Sequence, residues 1–166
     1  MSLVDDFRQQ RELKQAAAVQ ARDRVAAWQP AVATLCKRIE QLLDDSIKSG
    51  FIKPEADTVH LRDKITQEQY QIDRLKLRTD GHAVVILSPV ESYSAGNDGR
   101  VDMALEAGGD KRYALIWVRR PAASVDEQWQ LAPIDQMGKV GARNPLSKDT
   151  LEEALRDLLG FNRSLQ

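Results

Sequence analysis

The chain has 166 residues, of which 42% are apolar and 30% charged, and its formal net charge is -1. That balance excludes an intrinsically disordered polymer and suits one folded domain with a real core. A charge this close to zero excludes a global pull toward nucleic acid or anionic lipid and leaves only local patches. The longest wholly apolar runs are five or six residues, far short of the roughly 20 that cross a bilayer, so no membrane association is expected. A single cysteine, Cys36, excludes an internal disulfide and fits a reducing compartment. The first residues show no basic-then-apolar leader pattern, so the default location is the cytoplasm.

Residues 4–28 carry the helix formers alanine, glutamine and arginine with no glycine or proline. Their larger apolar groups, Phe7, Leu13, Val19 and Val25, make only a weak stripe. Pro30 then either kinks this helix or opens a second one as its first residue. Beyond it the pattern strengthens. Val25, Val32 and Ile39 fall seven apart, as do Trp28, Leu35 and Leu42, which predicts a core-facing helix ending near Ser49-Gly50. Residues 1–29 are therefore expected to form an alanine-rich extension and residues 30–166 a single α+β domain.

Pro54 to Thr58 reads as loop, and Val59 and Leu61 as a short edge strand. In 70–78 the apolar residues change phase, Tyr70 and Ile72 in one and Leu75 and Leu77 in the other, which predicts a bulge near Asp73-Arg74. Asp80-Gly81 predicts a tight hairpin into 83–87, with both turn residues at positive φ. Gly96-Asn97-Asp98-Gly99 predicts the next turn, Val101 to Ala107 a further strand, and Gly108-Gly109 the turn into 113–118. Trp129 and Leu131 mark a last strand. The runs 83–87 and 113–118 are apolar on successive residues, so both faces of those strands need cover. Tight connections leave no room for crossover helices, so an antiparallel meander of about five strands is expected. Ser147 as N-cap, Leu146 and Leu151 as a hydrophobic staple, and Gly160 as the terminating residue predict a C-terminal helix packed on the sheet.

Chemistry is sparse. His60 and His82 sit near strand ends and, with Ser92 and Tyr93, are the residues from which a ligand pocket between sheet and helices would be built. Cys36, on the apolar side of a helix, reads as a small hydrophobe. Asp98, Asp102 and Glu106, with Glu91, are the nearest approach to a carboxylate cluster, but no calcium-loop or nuclease pattern accompanies them. Gly138-Lys139-Val140-Gly141 matches a Gly-x-x-Gly backbone clamp only as an isolated tetrapeptide, with Asn144-Pro145 forcing extended chain behind it. Arg74, Lys76 and Arg78 alternate onto one face of a strand. Arg119 and Arg120, with Lys111 and Arg112, flank another, which together outline a basic face for nucleic acid. No cofactor or metal site is expected, and an enzyme less than a binding protein. The leading expectation is a non-catalytic protein–protein interaction module, an adaptor or small chaperone-like protein, working as a homodimer. The alternatives are nucleic-acid binding through the basic face and a small-molecule-binding or enzymatic pocket.

Overall fold

Pro30 does not end the first helix. In the computed structural model, which describes residues 2–91, 98–120 and 123–161, α1 runs unbroken from Leu3 to Leu42. A capping box starts it: the Ser2 hydroxyl accepts from the Asp5 N–H while the Asp5 carboxylate accepts from the Ser2 N–H, satisfying two otherwise orphaned donors. At Pro30 the helix lacks one N–H, and the Thr34 hydroxyl donates to the Pro30 carbonyl at 2.8 Å. The stripe Trp28, Val32, Leu35 and Ile39 is at most 1% exposed. Ala21 is buried as well, so the expected boundary at residue 29 falls inside a continuous helix, and the freestanding part is residues 3–20.

After a short helix, α2 (Asp44–Lys48), seven antiparallel strands follow with spatial order equal to chain order. They are β1 (Ile52–Arg62), β2 (Gln69–Thr79), β3 (Val84–Glu91), β4 (Gly99–Leu105), β5 (Arg112–Trp117), β6 (Trp129–Ile134) and β7 (Asn144–Pro145). A four-residue helix, α3 (Val125–Gln128), sits between β5 and β6, and α4 (Lys148–Leu159) ends the fold. The class is α+β with an antiparallel meander, as the pattern predicts, but with seven strands rather than about five. The segment 54–58, read as loop, lies inside β1, and β7 is a two-residue strand that no periodicity announces.

Strand register decides which residues meet the helices. Leu75, Leu77, Val85, Leu87, Val101, Met103, Leu115 and Leu131 share one core with the inner stripes of α1 and α4. Both long helices therefore cover the same face. The other face of β5 and β6 holds a separate small cluster, Ala114, Ile116, Ala132 and Ile134, with Val118 and Val140 packed on it. The expected cover by helices on both sides is thus met on one side only.

The bulge expected near Asp73-Arg74 is not there. Pairs run in unbroken register from Ile52↔Thr79 to Arg62↔Gln69, yet Ile72 and Leu75, on opposite faces of that ribbon, both reach the main core. β2 pairs with β3 only from Leu75 onward, so its first half belongs to a two-stranded ribbon. Such ribbons twist more strongly than strands inside a sheet. The twist turns the Tyr70–Ile72 face toward α1, so both apolar phases are used without an inserted residue.

At the centre of the core all three tryptophans meet. The ring centroids of Trp28, Trp117 and Trp129 lie 5.7, 6.0 and 6.3 Å apart. Gly99 of β4 makes room for them, since a Cβ there would stand within 2.8 Å of three ring carbons of Trp28.

The β2–β3 hairpin forms where Asp-Gly predicts it, but not as the predicted turn. Thr79 N–H donates to Ala83 O and His82 N–H to Thr79 O, and the residue at positive φ is His82, at 70°. Gly81 stands one place too early to take the left-handed position. Replacing His82 with glycine is expected to stabilise the fold by roughly 0.5–1 kcal/mol, the usual relief of a side chain from that conformation. Urea denaturation checks this, and an unchanged or lower midpoint would contradict it.

Candidate functional site

The most conspicuous surface is the free arm of α1. Leu3, Val4, Phe7, Leu13 and Val19 are each more than half exposed, along a helical stretch roughly 27 Å long at 1.5 Å per residue. Where it meets the body, Ala21 is buried, Arg22 pairs with Glu68 at 2.6 Å, and Gln29 donates to the Gln71 carbonyl. A lone helix of this length is marginal in water. This one is held by its capping box and by continuity with the docked half.

The basic strand residues sit as expected on one face of β2, and each is matched by a carboxylate. Arg74 makes a two-pronged bond to Asp57, directly opposite on β1, at 2.9 and 2.5 Å. Arg78 Nε lies 2.8 Å from Glu55, and Lys76 Nζ 3.2 Å from Glu106. The hydrogen bond from Arg74 holds the Asp57 carboxyl below its ordinary range, and that from Arg78 does the same for Glu55. Arg119 and Arg120 lie past the opposite end of β5. Among the described residues neither guanidinium makes an ion pair. The five cations therefore do not form one surface.

The histidines are not brought together. His60 pairs across the ladder with Gln71, its Nε2 lying 3.0 Å from the Gln71 amide nitrogen. His82 is in the turn beyond Thr79, which faces Ile52. That separates the two by eight ladder positions, roughly 25 Å. Ser92 and Tyr93 fall outside the described residues.

The carboxylates are dispersed too. Asp102 bonds Arg100 through both oxygens, at 2.6 and 3.1 Å, Glu106 faces Lys76, and Asp98 accepts from the Arg119 backbone N–H at 2.7 Å. Among the described residues no three histidines, cysteines, aspartates or glutamates gather into a metal-sized group. Gly138–Gly141 lies in the tight β6–β7 connection, where Asp135 Oδ1 accepts from Met137 and Lys139 N–H and Val140 bridges back to Ile134. A loop of that kind is not a junction between helices.

Two polar arrangements went unforeseen. Asp63, the one buried charged residue among those described, closes the β1–β2 turn. Burial pushes its carboxyl up, but hydrogen bonds from Thr66 and Ile65 and the nearby Arg24 outweigh that and hold it below its ordinary value. Tyr113 donates to Asp157 of α4 at 2.6 Å, and Lys111 pairs with the same carboxylate. Burial and that carboxylate push the phenol upward, away from any role as a base. No described helix is long and apolar enough to cross a membrane. Comparison with protein-family models, with curated proteins and with solved structures gives no match.

Proposed function

We propose that this chain is a non-catalytic protein–protein interaction module, an adaptor or small chaperone-like protein, that associates with a second copy of itself through the arm of α1. The observation that carries this reading is the run of exposed apolar residues from Leu3 to Val19 on a helix already capped and in register with the core. Apolar groups presented on a preformed helix lose little conformational entropy when they are covered, which favours association over leaving them in water. The pairing of Arg74, Lys76 and Arg78 with carboxylates supports it indirectly, because a polyanion would have to displace three ion pairs to use that face.

The test is the solution mass by light scattering of the full chain and of a chain lacking residues 2–16. A deletion reaching residue 28 would remove the buried Ala21 and Trp28 and unfold the domain, so the cut must stop short of them. The full chain should be a dimer and the shortened chain a folded monomer with unchanged tryptophan emission. A monomeric full chain that also retains no stable partner in a pull-down from its own cell extract removes the reading.

A further inference from the structure

A groove of ≈ 450 Å³ opens between α1 and the ends of β5 and β6. Its helical wall is small and apolar, made by Ala27, Pro30 and Ala31, and the buried indoles of Trp117 and Trp129 form its base. Arg119 and Arg120 stand at its rim. Gln128 sets that rim in place: its side-chain oxygen accepts from Trp117 Nε1 at 3.3 Å, and its amide nitrogen donates to the carbonyls of Arg120 and Ala123 at 3.2 Å. Of the carboxylates nearby, Asp126 is taken up by Arg38 at 2.7 and 2.9 Å, and Asp98 is held against the rim backbone at Arg119, whose N–H it accepts.

We infer that this groove is a binding site for a small amphiphilic anion, a molecule with a compact apolar body and one anionic head group. The chemistry is divided as such sites require. Small side chains and indole edges offer a surface from which water is easily displaced, and the volume lies within the roughly 300–1,000 Å³ of small-ligand sites. The two guanidiniums, planar and unable to lose their charge, supply charge-assisted donors for a carboxylate, sulfonate or phosphate. A neutral ligand of the same shape leaves them unused, so the site discriminates by charge. Proline at position 30 and alanine at 27 and 31 keep the helical wall low where larger side chains would close the groove.

The probes are 1-anilinonaphthalene-8-sulfonate and N-phenyl-1-naphthylamine, which share one apolar body and differ by the sulfonate. Both accept energy from tryptophan, and every tryptophan of the chain lies in the cluster beneath the groove. Titrated into the folded full chain, the sulfonate should saturate at one site per chain and bind at least about tenfold more tightly than the neutral probe. The double change Arg119→Gln and Arg120→Gln, at exposed positions, should bring the sulfonate down to the neutral probe's affinity. Ala31→Leu, which fills the groove, should weaken both probes by about tenfold or more. If that variant loses its circular dichroism, Thr34→Tyr on the exposed rim takes its place. No saturable binding overturns the inference. So does sulfonate binding that survives both the arginine and the groove-filling changes, which would place the probe elsewhere, for instance on the arm.

Discussion

Trp28→Ala is expected to cost about 3–5 kcal/mol of folding stability, the range for deleting a large aromatic side chain from a packed core. Trp28 is fully buried, sits against both other tryptophans and lies on the backbone of Gly99. Its indole N–H has no hydrogen-bond acceptor among the described residues, so the loss is one of packing. Gly99→Ala alone should cost about 1–3 kcal/mol or more by overpacking, because its Cβ would meet ring carbons within 2.8 Å. Backbone strain contributes nothing to this, since Gly99 is not among the residues at positive φ. The two effects should not add. Once the indole is gone, the added methyl enters vacated space, and Gly99→Ala in the Trp28→Ala background should be close to neutral. A coupling of about 1–3 kcal/mol is therefore expected between directly contacting positions. Urea denaturation followed by circular dichroism measures all four corners of the cycle. Additive costs would mean that the glycine is required for some reason other than the indole.

Alkylation of Cys36 in the folded chain should run about a thousandfold slower at pH 8 than in the denatured chain, because only the thiolate attacks. Burial, and after it the negative charges of Asp73 and Glu40, push this thiol up to about 12. An unfolded cysteine titrates near 8.5. The sign for stability follows. The folded state keeps its proton where the unfolded state loses it, so the contribution of Cys36 is complete below about pH 8.5 and declines as pH rises toward the folded value. Iodoacetamide labelling with and without urea reads the rate ratio. Equal rates would place the thiol in solvent.

Local signals in the chain were most legible where one element contains its own beginning, face and end. For α4, Ser147 accepts from the Thr150 N–H, Leu151, Ala154, Leu155 and Leu158 are buried, and Gly160 ends the helix at φ 79°, so cap, stripe and terminator all stand in one stretch. For α1 beyond Trp28 only the buried stripe was legible, since the helix begins far upstream at Leu3 and ends at Leu42 rather than near Ser49-Gly50. What could not be read were features divided between distant segments. Glu55 and Asp57 neutralise Arg78 and Arg74 only because 54–58 is part of β1. A stretch of proline and acids carries no strand periodicity, so these two partners have no local signature, whereas Glu106, the partner of Lys76, stands among the acids visibly interleaved with the bases. Ile72 and Leu75 looked like evidence for a bulge because alternation assumes one buried face per strand, and a twisted ribbon is free to use both. The groove beside Pro30 joins residues from 27 to 129 and has no local signature.

An open sheet has two outer strands, and here neither offers a template for another chain. β1 is long, but its first half carries Lys53, Pro54, Glu55 and Asp57, and proline and charge are the usual obstacles to strand addition. On the far side β7 is only Asn144–Pro145, too short to recruit a neighbour and again closed by a proline. Growth by β-augmentation into filaments is thus blocked at both margins. On the reading proposed above, a pair formed through the apolar arm of α1 would therefore be closed and would not seed a fibre.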